Sequence, residues 1–155
     1  MWACSGSTGT EIGTSTTLSY NDAPPLDRAY VYRVRARKLD TLSSPSAPTL
    51  ATTVALSYYP VQVGVTIPRV AMLQQMRAAV DAVRATAGLG AATYRDAAVS
   101  ALPIRTWHVL DLRAALDPAR ALLGFPPIAY TDPQLTPGST RIRARHFNEI
   151  MEGAR

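Results

Sequence analysis

Hydrophobic positions recur with two different periods along this chain. Between Ala29 and Lys38, Tyr30, Tyr32, Val34 and Ala36 alternate with Val31, Arg33, Arg35 and Arg37. A period of two predicts a strand whose Tyr/Val/Ala side turns inward and whose basic side meets solvent. Thr14 to Tyr20 and Thr49 to Leu56 are rich in β-branched and aromatic residues and predict companion strands. Ser5 to Gly9, Asn21 to Pro25 and Ser43 to Pro48 are turn clusters between them. From about residue 68 the period becomes helical. Leu73, Met76, Val80, Val83 and Ala87 fall at i, i+3, i+7, i+10 and i+14, and Val109, Leu112, Leu116, Ala119 and Leu123 repeat that spacing. The change of period places the boundary between Ser57 and Thr66.

The two helical patterns belong to an internal repeat. Met76 to Arg84 (MRAAVDAVR) reappears as Leu112 to Arg120 (LRAALDPAR), a shift of 36 residues that also carries Gly88 onto Gly124 and Tyr94 and Asp96 onto Tyr130 and Asp132. At a shift of 38 residues, His108, Val109, Leu112 and Leu116 match His146, Phe147, Ile150 and Ala154. Repeats at about 58–95, 96–131 and 132–155 follow, each offering one amphipathic helix. Gly88 and Gly124 suit left-handed C-caps, and Gly88-Leu89-Gly90 ends a helix, whereas a nucleotide-binding loop would precede one. Pro118 falls inside the second pattern and predicts a kink or a split after Leu116. The connectors Pro60 to Gly64 and Pro133 to Gly138 are each followed two residues after the Gly by Thr66 or Thr140. This predicts a structured turn, with Ser139 or Thr140 as a helix cap.

The fold class expected is therefore α+β: a β unit of short strands over 1–57, then a small all-α bundle of about three amphipathic helices over 58–155. At 155 residues the chain suits one compact domain or two small ones, and no apolar run approaches the length of a membrane span. The opening residues lack the basic and apolar regions of a signal peptide. One cysteine, Cys4, closes no internal disulfide, and one Cys with two His builds no zinc framework of the CxxC kind.

Charge adds one candidate site. Of 16 basic residues all but Lys38 are Arg, a bias that a GC-rich coding sequence produces by itself. Residues 1–59 hold five basic and four acidic side chains (+1), and residues 60–155 hold eleven and seven (+4). The densest basic cluster, Arg141, Arg143 and Arg145, supports an alternative function, a small basic nucleic-acid or polyanion-binding module. Aromatic residues do not interleave with it, so nucleic acid is not the expected partner.

Catalytic chemistry finds little support. There is no GxSxG elbow, phosphate loop, GxGxxG or HExxH. His108 and His146 each have an acid three residues on, Asp111 and Glu149, and two such units could chelate a metal between helices. The first repeat has Met72 and Gln75 there, which favours imidazoles hydrogen-bonded for structure. Asp96 and Asp132 are turn residues expected to bind nearby backbone amides. The expected catalytic, cofactor and metal residues are thus none, and the chain is not expected to be an enzyme.

Pro25-Leu26-Asp27-Arg28-Ala29-Tyr30-Val31-Tyr32-Arg33-Val34-Arg35-Ala36, with Ser43 to Pro48 and Ala51-Thr52-Thr53, resembles the second half of a fibronectin type III domain. The resemblance implies a tyrosine corner, with the Tyr30 hydroxyl satisfying a backbone group at the loop and its ring in the core. It also implies that residues 1–57 are a partial antiparallel β-sandwich whose first strands are missing, with Trp2-Ala3-Cys4 a remnant of a middle strand. A fragment of a longer protein, a misassigned start codon, or strands donated by a partner would each account for this. Residues 58–155 resemble helical repeats at the C-termini of large secreted bacterial proteins. The implied role is a non-catalytic structural or interaction module at the end of a secreted or cell-surface protein. Its partners would be upstream domains of a longer parent chain or another protein.

Overall fold

The computed structural model describes residues 9–98 and 103–155 and the backbone of residues 2–4. The protein is α+β. Among the described residues there are six short strands: β1 Trp2–Cys4, β2 Thr10–Glu11, β3 Ala29–Arg33, β4 Arg37–Lys38, β5 Thr41–Leu42 and β6 Thr49–Thr52. Three helices follow, α1 Val70–Thr86, α2 Thr106–Leu122 and α3 Ala144–Gly153. No described helix is long and apolar enough to cross a membrane.

An antiparallel sheet runs in the order β2-β1-β3-β6, and β4 and β5 form a separate hairpin turned by Leu39 at φ 52°. β1 lies inside the sheet, between β2 and β3. The predicted strand at Thr14 to Tyr20 is absent. Those residues are coil, because the Ser15 and Thr17 hydroxyls bond nearby carbonyls and Leu18 finds nothing to pack against. Most of the first turn cluster, Ser5 to Thr8, lies outside the described residues.

The strand at Ala29 is also turned over relative to the expectation. Ala29 and Val31 are buried, with Leu50 opposite Val31, while Tyr30 and Tyr32 take the other face and Val34 is half exposed. The reason is α1, which packs on β3 and β6 and joins Ala29, Val31 and Leu50 to one core with the helices. Small residues on that face let the helix approach. The buried Thr86 hydroxyl donates to the Ala29 carbonyl at 2.7 Å, which fixes the contact. Of the tyrosine corner, the hydroxyl part is found. Tyr30 Oη donates to the Pro25 carbonyl at 3.1 Å, and Thr53 Oγ1 donates to the same carbonyl at 2.8 Å. The Tyr30 ring, however, stays outside the buried core.

Each helix buries the stripe its spacing predicts, with Leu73, Met76, Val80 and Val83 of α1 against Val109, Leu112, Leu116 and Ala119 of α2 and Phe147 and Ile150 of α3 in one cluster. Gly88 and Gly124 follow their helices at φ 77° and 80°, as C-cap glycines should. Pro118 neither splits nor ends α2, which is continuous from Thr106 to Leu122. Pro118 and Ala114 are both exposed, so water can take the carbonyl that a proline cannot serve. Gly64 and Gly138 also have positive φ, and Thr66 and Thr140 accept the backbone N–H groups of Gln62 and Thr136 through their hydroxyl oxygens. The connectors are structured as expected, but Ser139 and Thr140 do not cap α3. The N-cap is Arg143, as it is Arg69 for α1 and Arg105 for α2.

Asn148 closes the bundle. Its side chain accepts from Val61 N at 2.7 Å and donates to the Val61 carbonyl at 3.0 Å, tying α3 to the connector before α1. The Arg155 guanidinium lies over the neighbouring Tyr59 ring at 4.6 Å.

Candidate functional site

The polar residues of the repeat form two equivalent networks. At the start of α2 the Arg105 backbone N–H donates to His108 Nδ1 at 3.0 Å, and the His108 N–H returns to the Arg105 carbonyl. Arg143 and His146 do the same at the start of α3, at 3.2 Å. An imidazole here plays the part that Glu or Gln plays in a capping box. A ring nitrogen that accepts an N–H carries no proton, so the ring proton sits on Nε2. Nε2 faces Asp96 Oδ2 at 2.8 Å in one network and Asp132 Oδ2 at 2.7 Å in the other.

Asp96 and Asp132 therefore bind side chains of the next helix and not, as expected, nearby backbone amides. Asp96 also accepts from Trp107 Nε1 at 3.0 Å, and Asp132 from Arg145 Nη2 at 2.8 Å. These bonds hold both carboxyls below the ordinary aspartate range, chiefly through Trp107 and then His108 for Asp96, and through His146 and then Arg145 for Asp132. Their backbone carbonyls accept from Arg77 at 2.8 Å and Arg113 at 2.7 Å on the preceding helix. Each of these arginines lies over a repeat-equivalent ring, Tyr94 or Tyr130. Those hydroxyls in turn meet Asp81 and Asp117, and burial first and these aspartates second raise the phenol pKa values above the ordinary tyrosine value.

This geometry rules on the metal-chelating pairs. His108 and His146 sit in separate networks with both ring nitrogens engaged, and both are buried. Asp111 and Glu149 turn to other work: they accept the backbone N–H groups of Arg95 at 3.1 Å and Thr131 at 2.9 Å. Gln75, their counterpart in α1, accepts from Ser57 N at 3.0 Å. No group of three or more His, Cys, Asp or Glu among the described residues could hold a metal ion. Nor do the dyads resemble a general base, which needs one imidazole nitrogen free to face a substrate.

The structure divides the arginine cluster. Arg145 belongs to the first turn of α3 and is paired with Asp132. Arg141 and Arg143 precede the helix, are exposed, and line a groove of about 1160 Å³ at the N-terminal ends of the helices. Arg105 lines the same groove from the previous repeat, its guanidinium 4.8 Å from the Trp107 ring centre. Sequence reasoning missed Arg105 and the recurrence of arginine at N-cap positions 69, 105 and 143. The same shifts of 36 and 38 residues would have found it. The described residues lining the groove include Val61, Val63, Ile104, Ile142 and Phe147 and no Asp or Glu. None of the three helices carries an acid of its own in its first turn, although the Asp96 and Asp132 carboxylates reach the first turns of α2 and α3 from the preceding connectors. The chain matches no known protein family, no curated protein and no solved structure.

Proposed function

We propose that the chain is a non-catalytic structural or interaction module from the C-terminal end of a bacterial secreted or cell-surface multidomain protein. Its β part would be a fibronectin type III-like unit, and its helices a docking or spacing element. The observation that carries this reading is the use made of the repeat's ionisable side chains. His108, His146, Asp96, Asp132, Asp111, Glu149, Arg77 and Arg113 all serve bonds between a helix and the connector that joins it to its neighbour. Side chains so committed support a rigid scaffold, and function on such a scaffold belongs to its surface. An antibody to residues 58–155, applied to intact cells of the source organism and to their medium, tests this. Staining of the surface or recovery from the medium is expected, and confinement to the cell lysate overturns the reading.

A second reading, a polyanion-binding module, has its own support in Arg141 and Arg143. These two are exposed and without an acidic partner among the described residues. Arg105 replaces Arg145 as their companion.

A further inference from the structure

We infer that the groove at the helix N-termini takes an extended acidic peptide segment, one that alternates carboxylate and apolar side chains. This inference rests on the polyanion reading and names the partner's chemistry at that same site. Charge complementarity is the first argument. Arg105, Arg141 and Arg143 line the groove, and no described lining residue is acidic.

The apolar lining identifies the kind of anion. Exposed Val63 and half-buried Ile104 and Ile142 offer a surface that aliphatic side chains can cover, while arginine forks meet carboxylates. Single-stranded nucleic acid needs successive aromatic platforms. The groove has Trp107, whose ring is already paired with Arg105 and whose Nε1 is spent on Asp96. An anionic polysaccharide would leave the valines and isoleucines against hydroxyl groups. A second copy of this chain fits poorly as well, since its net charge is +5 and Asp96, Asp111, Asp132 and Glu149 are occupied internally.

The test is a fluorescence anisotropy titration of the full chain with a short labelled peptide of alternating glutamate and valine. The comparators are its lysine–valine counterpart, a heparin fragment and a single-stranded DNA oligonucleotide. The acidic peptide is expected to bind, more weakly as salt rises, and the lysine peptide not to bind. The double variant Arg141→Ala, Arg143→Ala should weaken binding by at least about tenfold. Its melting temperature should match the parent's, because neither side chain holds the fold. Arg141→Glu with Arg143→Glu should transfer binding to the lysine peptide. Arginine-dependent binding of heparin or DNA without the acidic peptide overturns the peptide assignment and leaves the polyanion reading standing. Binding of none of them overturns both. Equal binding of the acidic and lysine peptides, or acidic binding indifferent to the arginine changes, overturns the groove as the site.

Discussion

His146 Nε2 stands 2.7 Å from Asp132 Oδ2, and the same bond joins His108 to Asp96 at 2.8 Å one repeat earlier. Each aspartate faces both ways along the array. Its carboxylate receives the imidazole of the following helix and its backbone carbonyl receives the guanidinium of the preceding one. The imidazole also caps its own helix, so one buried ring couples helix initiation to the docking of neighbouring repeats. In α1 the position belongs to buried Met72, which keeps the packing and gives up the polar bonds.

His146→Ala is expected to cost about 2 to 4 kcal/mol, because it removes a packed ring and strips the Arg143 N–H of its acceptor. His108→Met should cost less than His108→Ala, since Met72 shows that this volume suits the helix start. Denaturant unfolding of the three variants checks both statements. Asp132→Asn combined with His146→Ala should cost less than the sum of the single changes.

Acid should weaken the protein through the same aspartates. Asp96 and Asp132 have folded pKa values below their ordinary value, so the stability they contribute is fully present above about pH 4. It is lost as pH falls through the depressed folded values. The melting temperature should therefore hold from neutrality to about pH 5 and decline below about pH 4. The acid decline should be shallower in the variant Asp96→Asn, Asp132→Asn, and an unchanged slope would remove these carboxyls as its cause.

Asn148→Ala should destabilise by about 1 to 3 kcal/mol, because both its bonds to Val61 are lost at a part-buried site. Asn148→Asp keeps an acceptor for Val61 N and sets a carboxylate against the Val61 carbonyl. It should be no better than alanine. Amide exchange at Val61 and along α3 is expected to rise in both variants.

Pro118→Ala should stabilise by about 1 to 3 kcal/mol. α2 already runs through this position, and alanine restores the N–H and the helix propensity found at Ala82, its counterpart in α1. A calorimetric melt that stays level or falls would mean that Pro118 is held by contacts beyond the helix backbone.

Thr86→Val should lower stability by about 1 to 2 kcal/mol, as the buried hydroxyl that meets the Ala29 carbonyl is lost. Ala82 and Ala79 lie on the same face of α1, so loosening there reaches the strand. Faster amide exchange in β3 and α1 together is the expected signature. A change confined to α1 would show that the sheet does not depend on this contact.

Much of the candidate site was legible because the repeat spaces its chemistry evenly. His108 and His146, and Asp96 and Asp132, were paired by shift alone. Their partners were not, because Asp96 and His108 stand 12 residues apart, one in a connector and the other in the helix after it. Arg145 illustrates the same limit. Its place in the sequence groups it with Arg141 and Arg143, yet a helix begins at Ala144 and turns it toward Asp132.

The three helical stripes, the glycine ends of the first two helices and the change from β to α are all readable along the chain, since they follow from local period and backbone preference. Which face of the strand at Ala29 is buried, what the histidines bind and where the exposed arginines gather depend on the packing of elements distant in the chain. A period of two gives Tyr30 and Val31 opposite faces without saying which one is covered, and the packing of α1 settles it. Hydrogen-bond partners far apart in the chain carry no local signature. Asn148 and Val61 lie 87 residues apart, and their bond exists only once three buried stripes have closed on one core.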